Sequence, residues 1–185
     1  MTKVFTKEEV FAKKEFFIQQ IQQGKTFFYP TDTVYGLGCS VTHTASIKKI
    51  FSLKQRGKNA VSIIVPNKEW ITTHCRCEEK YLALLPGPYT LLVEPKGSLD
   101  LVLVQQESPL LGVRIPKNWF CDLVREAGCL FVTTSANLSG KPTVAYYEQL
   151  DKSIYDGVDF IIDDGVKDSK ASTVIHGITG EIIRS

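Results

Sequence analysis

A strand-forming run at residues 26–29 stops at Pro30 and gives way to Thr31-Asp32-Thr33-Val34-Tyr35-Gly36-Leu37-Gly38, a stretch rich in hydroxyls and glycine. Proline offers no N–H to a sheet ladder, so the strand has to end there, and Gly36 and Gly38 permit turns and close approach of backbone to a ligand. Thr31, Thr33 and Tyr35 fall at alternate positions, which in an extended segment turns their hydroxyls to one side. Taken alone, this is also what an ordinary polar loop from strand to helix looks like. A second such segment follows: residues 130–132 read as a strand running straight into Thr133-Thr134-Ser135-Ala136-Asn137-Leu138-Ser139-Gly140. In an open α/β sheet, ligands bind just beyond strand ends, where loops present backbone amides and short polar side chains.

The remaining elements supply a frame for these two segments. Thr6-Lys7-Glu8-Glu9 is a capping box, and Val10, Phe11, Phe17, Ile18 and Ile21 mark one face of a first amphipathic helix ended by Gly24. Gly24-Lys25-Thr26 matches only the tail of a phosphate-binding loop, with the leading glycine absent and the element order reversed. Ile47, Ile50 and Phe51 predict a helix over residues 44–54 that leads into Lys54-Gln55-Arg56-Gly57-Lys58-Asn59. On a continuing helix Lys54 and Arg56 would splay by about 200°, whereas an extended exit, which Gly57 favours, aims both at one spot suited to a polyphosphate or carboxylate. Both cations are expected to be exposed, as are basic residues that merely complement a helix dipole.

Residues 60–65, 90–93, 101–104 and 111–115 read as strands; Asn67 caps helical segments running to residue 85, and Pro86-Gly87-Pro88 enforces a turn. Arg114 lies between Val113 and Ile115, and a cation inside an apolar strand needs a structural carboxylate or a bound anion. A helix over 119–127 closed by Gly128, strands at 160–162 and 172–175, and a Thr179-Gly180 hairpin before Ile182, Ile183 and Arg184 complete the pattern. Strands outnumber helices but alternate with them, which predicts a mixed α/β (α+β) domain with a twisted sheet.

With 185 residues, 43% of them hydrophobic and 23% charged, the chain has the profile of one soluble domain with a substantial core. A formal net charge of +2 makes no global case for nucleic acid, while leaving room for a local basic cleft. No run approaches the roughly 18 apolar residues of a membrane helix. Lys3, Lys7 and Glu8 stand where a signal peptide would be apolar, so a cytoplasmic location is expected. Five cysteines, an odd number in apolar or helical surroundings, fit reduced thiols. His74-Cys75-Arg76-Cys77 could form half a metal site, but no second Cys or His pair follows at finger spacing.

The Tyr29 to Gly38 stretch, Lys54-Gln55-Arg56 and Thr134 to Gly140 together resemble, in order and spacing, the YrdC-like family of threonylcarbamoyl-AMP synthases. Pro86-Gly87-Pro88-Tyr89-Thr90, Gly112-Val113-Arg114-Ile115-Pro116, Ser172-Thr173-Val174 and Arg184 carry the resemblance over nearly the whole chain. It implies a YrdC-like twisted mixed sheet flanked by helices around a concave basic cleft. It also implies one catalytic domain over residues 1–185, in the short form without an extra C-terminal domain. The implied activity is that of a nucleotidyltransferase: ATP, L-threonine and bicarbonate or CO2 give threonylcarbamoyl-AMP and pyrophosphate. A tRNA threonylcarbamoyl transferase complex would then pass the group to the adenosine beside the anticodon.

The same resemblance implies roles. Lys54, Arg56, Ser135 and Asn137 form the family's catalytic tetrad and, with Lys58, Thr143 and Arg184, would contact ATP. Thr31, Thr33, Arg114, Thr133 and Ser172 would hold threonine, Arg114 taking its carboxylate by a forked pair of hydrogen bonds. Mg2+ would accompany the triphosphate without a tightly bound protein-ligated metal, Asp32 and Asp163 being the carboxylates considered for it. Asp163-Asp164-Gly165 departs from the pattern, which expects a second glycine there.

Three competing readings use the same residues. A non-catalytic RNA-binding module would need a broad basic stripe with exposed aromatics. The carbamoyl-adenylate-forming domain of hydrogenase-maturation proteins is embedded in a longer chain with zinc-finger-like and acylphosphatase segments. Ser46-Ile47-Lys48-Lys49 with Ser135-Ala136-Asn137 imitates a penicillin-binding pattern without its Lys-Thr-Gly element.

Overall fold

The computed structural model describes residues 3–55 and 60–185. Its strands are β1 (Lys3–Thr6), β2 (Phe27–Tyr29), β3 (Gly36–Ser40), β4 (Ser62–Ile64), β5 (Cys75–Arg76), β6 (Tyr89–Pro95), β7 (Leu111–Arg114), β8 (Phe131–Ser135), β9 (Phe160–Asp163), β10 (Thr173–His176) and β11 (Ile182–Arg184). The helices are α1 (Lys7–Ala12), α2 (Lys14–Gln22), α3 (Thr44–Leu53), α4 (Lys68–His74), α5 (Glu79–Leu82), α6 (Val102–Gln105), α7 (Trp119–Glu126) and α8 (Lys152–Gly157). The sheet runs β1-β9-β2-β3-β8-β4-β7-β6-β10-β11, with β5 pairing β6 off this path. Some neighbours, such as β4 and β7, are parallel and others, such as β3 and β8, antiparallel, so the sheet is mixed.

Because β8 is inserted between β3 and β4, the two hydroxyl-rich segments of the sequence become direct neighbours: Gly36 pairs with Ser135 and Gly38 with Thr133. Successive strand residues face opposite sides of the sheet, which splits the core in two. Phe28, Leu37, Ile63, Val113 and Val132 pack on one side with Ile47 and Ile50 of α3 and Ile154 of α8. Phe27, Tyr29, Ile64, Phe131 and Phe160 pack on the other with Phe17 and Ile21 of α2 and Phe120 of α7. That second side is aromatic: Phe27 stacks on Phe160 at 5.1 Å and Tyr29 on Phe120 at 4.7 Å. Each such buried side chain contributes about 1.5–3 kcal/mol.

The helical cover on this aromatic side stops partway along the strands. Ile64 and Phe131 lie beneath it, whereas Ser62 and Thr133, two residues away on the same face, line an open cavity.

Several expectations need correction. The first helix is broken at Lys13, whose φ of −123° leaves the helical range, and Phe11 is 50% exposed rather than part of the buried face. The helical stretch expected to residue 85 is interrupted because Cys75 turns extended and pairs with Pro95. Residues 101–104, expected as a strand, begin the one-turn helix α6, with Leu101 and Val104 buried and Val102 71% exposed. A four-residue apolar run satisfies either period, and here the Val104 N–H closes on the Leu101 carbonyl. Strand β8 continues through Thr133, Thr134 and Ser135 rather than ending at residue 132.

Gly36 and Gly38 make no turn either; they lie within β3 and serve close approach. A Cβ at Gly38 would stand 2.2 Å from the Val132 carbonyl oxygen and 2.3 Å from the Phe131 ring. Gly38→Ala should therefore lower the free energy of unfolding by about 3 kcal/mol. Gly97→Ala, with nothing within 4 Å of the added atom, should change it by less than about 0.5 kcal/mol. Urea midpoints of the two variants check this, and equal midpoints would contradict it.

Candidate functional site

The uncovered half of the sheet is a cavity of about 220 Å³. Its wall draws Gly36 from β3, Ser62 from β4, Thr90 from β6, Arg114 from β7, Thr133 and Ser135 from β8 and Arg184 from β11. Thr31, Tyr35 and Ser172 reach it from the connecting segments.

Arg114 is buried, and its partner is a structural carboxylate: Nη2 lies 2.9 Å from Asp32 Oδ1, with Asp32 buried almost as deeply. The second oxygen of Asp32 accepts from the Lys117 N–H at 2.9 Å, and Thr33 Oγ1 accepts from Arg114 at 3.3 Å. Arg114 Nε is buried without a hydrogen-bond partner among the described residues. An unmet buried donor costs about 1–3 kcal/mol, so a ligand oxygen reaching it would be favoured.

A hydroxyl has one hydrogen to give, and following each hydrogen sorts the site. Thr31 gives its own to the Val34 carbonyl at 2.6 Å. In the 3.0 Å contact between Thr31 and Thr33, Thr33 must therefore be the donor. Thr31 Oγ1 also accepts the Thr33 N–H at 3.1 Å, so both threonine hydroxyls are committed to shaping the turn. Thr31 still touches the cavity, while Thr33 stands behind Arg114. Tyr35, expected to align with them, turns its hydroxyl away to the Gly165 carbonyl at 2.7 Å.

Thr133 and Ser172 differ. Thr133 accepts the Tyr29 phenol hydrogen at 2.5 Å. Ser172 Oγ lies 2.8 Å from Thr90 Oγ1, and Arg184 Nη2 donates to the Ser172 carbonyl at 2.9 Å and to Oγ at 3.3 Å. Whichever way the Thr90–Ser172 pair is oriented, one of its two hydrogens remains for a ligand. Partial burial and the nearby Arg114 charge both push the Arg184 guanidinium below its ordinary value. The cavity thus gathers two cations and several donors, an environment that favours an anionic, acceptor-rich ligand.

Lys54 contradicts its expected exposure. It is 1% exposed, and its Nζ donates to the carbonyls of Ser135 at 2.5 Å and Asn137 at 2.6 Å and toward Asn137 Oδ1 at 3.4 Å. The chain after β8 leaves these carbonyls pointing inward where they need donors, and the C-terminus of α3 delivers an ammonium to them. Asn137 closes the turn further by donating to the Lys141 carbonyl, and the Ser139 N–H returns a bond to the Lys54 carbonyl. Lys54 and Asn137 therefore build the rim that presents Ser135 to the cavity. Arg56 and Lys58, with Gly57 and Asn59, lie outside the described residues. Thr143 is exposed and forms no part of the wall.

Neither aspartate considered for magnesium faces the cavity wall. Asp32 is held by Arg114 and Lys117, and Asp163 Oδ1 accepts from the Gly165 N–H at 3.1 Å. Among the described residues, no group of three or more His, Cys, Asp or Glu is arranged to hold a metal ion. Tyr35 accepts the Asp164 N–H, and Gly165 alone takes the left-handed backbone, at φ +71°, so the Asp163-Asp164-Gly165 turn forms with one glycine. His74 stacks on Trp70 at 4.6 Å and bonds its carbonyl through Nδ1, while burial pushes the Cys75 thiol up to about 11.

The chain is thus a mixed α/β domain whose sheet turns fixed hydroxyl and guanidinium donors toward one cavity. The Sua5/YciO/YrdC family model, described as telomere recombination, matches residues 19–185, and the chain belongs to that family. A Methanocaldococcus jannaschii protein provisionally named threonylcarbamoyl-AMP synthase is 31% identical, over 94% of this chain and 85% of its own. The threonylcarbamoyl-AMP synthase of Pseudoalteromonas atlantica is 29% identical, over 91% of this chain and 94% of its own. The crystal structure of P. abyssi Sua5 complexed with L-threonine superimposes with a TM-score of 0.83 at 26% identity, covering 95% of this chain and 54% of that one. The chain thus spans about half the length of that protein.

Sequence reasoning missed Tyr29 and Thr90 as partners in the site, and weighed Asp32 for magnesium rather than as the counter-ion of Arg114. Lys54→Met, which orphans two inward carbonyls, should lower stability by about 2–4 kcal/mol. It should also speed amide exchange of residues 135–139; a variant as stable as the parent in urea would show that Lys54 is not a staple.

Proposed function

We propose that this chain is a threonylcarbamoyl-AMP synthase, a nucleotidyltransferase that joins ATP, L-threonine and bicarbonate or CO2 into threonylcarbamoyl-AMP with release of pyrophosphate. The observation that carries the reading is the donor-rich cavity between Arg114 and Arg184. Relatives bearing that name match over about nine-tenths of this chain, which supports it.

The cavity volume falls below the roughly 300–1,000 Å³ of drug-sized pockets. It suits an amino acid, leaving the nucleotide to lie along the rim. Arg114 is assigned the threonine carboxylate, using its unmet Nε, with Thr133 and Ser172 as further donors. Thr31 and Thr33 are assigned the shape of the subsite rather than a hydroxyl contact. Arg184, Ser135 and the rim held by Lys54 and Asn137 are assigned to the nucleotide, with Arg56, Lys58 and Thr143 from the adjoining segments. Mg2+ belongs to the triphosphate substrate, since Asp32 and Asp163 are held in the scaffold.

Adenylation needs a carbamate oxygen to attack the α-phosphorus while the bond to the departing pyrophosphate breaks. Negative charge grows on the leaving group, and fixed cations and donors stabilise it without a covalent nucleophile. The product is a reactive mixed anhydride, so a tRNA-modifying transferase, in the cytoplasm, is its natural consumer.

Purified protein should release pyrophosphate from ATP only when L-threonine and bicarbonate are both present. Release with neither would indicate simple nucleotide hydrolysis, and none under any combination would overturn the reading in favour of RNA binding or a carbamoyl phosphate substrate. Arg114→Ala should weaken L-threonine at least about tenfold while changing ATP affinity less than about twofold, measured by calorimetric titration. Equal losses would make Arg114 purely structural.

A further inference from the structure

Tyr29 stands on the boundary between the aromatic cluster and the cavity. Its ring is stacked on Phe120 at 4.7 Å and set edge-on to Phe131 at 5.5 Å, so it has no room to swing. The phenol end lies across β3 at Gly36, where a Cβ would stand 2.9 Å from the ring and 3.0 Å from the phenolic oxygen. Glycine at that position is therefore the seat of the phenol. From this seat the hydroxyl, fully buried, donates to Thr133 Oγ1 at 2.5 Å. Burial pushes the phenol far above its ordinary value, so the proton stays in place at any working pH.

A threonine hydroxyl that accepts a bond from behind has its own hydrogen free, and the bond restricts where that hydrogen points. Among the described residues no acceptor takes it, and the side of Thr133 away from Tyr29 faces the cavity. We infer that Tyr29 is a positioning residue: it fixes Thr133 as a donor aimed into the cavity, selecting a ligand oxygen over an ammonium or apolar group at that point. The inference rests on the L-threonine reading above, whose ligand carries such an oxygen in its carboxylate.

The test is calorimetric titration of L-threonine and, separately, of ATP into the parent protein, Tyr29→Phe, Thr133→Val and the double variant, with urea unfolding of each. Tyr29→Phe keeps the ring and its stacking, so it should weaken L-threonine by about threefold to tenfold and leave ATP within about twofold. Thr133→Val should weaken L-threonine at least as much, and adding Tyr29→Phe to it should cause no further loss. The double variant should also unfold at no lower urea concentration than Thr133→Val, which strands a buried phenol hydrogen. If the Tyr29→Phe loss persists undiminished in the Thr133→Val background, or falls equally on ATP, Tyr29 acts structurally and the inference is overturned. A parent that binds L-threonine with an affinity unchanged in Tyr29→Phe overturns this inference alone. A parent that binds no L-threonine overturns the functional reading and this inference together.

Discussion

Arg114 brings a full positive charge into the interior on β7, and the ion pair it forms with Asp32 organises what surrounds it. Asp32 can meet the guanidinium only if the chain after Pro30 folds back, so the pair dictates the turn of residues 31–34. The same carboxylate takes the Lys117 N–H, and Asn118 Nδ2 bonds the Thr31 carbonyl at 3.3 Å, which ties the approach to α7 into that turn. Asn118 also caps α7 through the Phe120 N–H. Removing one partner of such a pair leaves an uncompensated buried charge at about 3–5 kcal/mol. The pair is only half of what the guanidinium can do, because Nε still lacks an acceptor. One interaction therefore holds the loop, orients the cation and leaves one of its buried nitrogens without an acceptor.

The division of one sheet face into aromatic and hydroxyl halves is the second constraint, and it follows from strand periodicity. Moving two residues along a strand keeps the face and changes only how far along it a side chain stands. Phe131 and Thr133 on β8, and Ile64 and Ser62 on β4, each step from beneath the helices into the cavity. Gly38 and Gly36 repeat the step with no side chain at all, admitting the Phe131 ring at one and the Tyr29 phenol at the other. The site is thus the continuation of the core with its apolar side chains exchanged for donors, and it inherits the rigidity of the sheet.

Much of this was legible in the sequence because it is local. Thr6 and Asn67 announce helix starts through side chains that bond a nearby backbone N–H, and Gly24 and Gly128 take the left-handed backbone after helices. The two hydroxyl-rich segments and Arg114 stood out for the same reason. What escaped was tertiary. Nothing beside Lys54 in the chain says that two carbonyls some 80 residues later will be turned inward toward it. Basic residues at a helix end are ordinarily solvated, and this one is buried because the end of α3 meets the Ser135 and Asn137 carbonyls. Tyr29 looked like a strand aromatic because its ring is one; the role of its hydroxyl depends on β8 being inserted beside β3. Residues 101–104 failed differently, since four apolar residues carry too little periodicity to separate one helical turn from a strand.

The site's chemistry follows from what it keeps fixed. No thiol lines the cavity, and burial pushes Cys39 up to about 12 and raises Cys121, Cys129 and Cys77 as well. What remains are cations and hydroxyls whose directions are set from behind: Thr133 by Tyr29, Ser172 by Arg184, Arg114 by Asp32, and the Ser135 rim by Lys54. Water around a reacting phosphate must reorient as charge moves, whereas donors held this way need not, and that saving is the basis of electrostatic catalysis. Burial and, after it, the nearby Arg114 charge hold the Arg184 guanidinium below its ordinary value. Two guanidiniums on one cavity wall make it a better setting for an anion than for a neutral or cationic group.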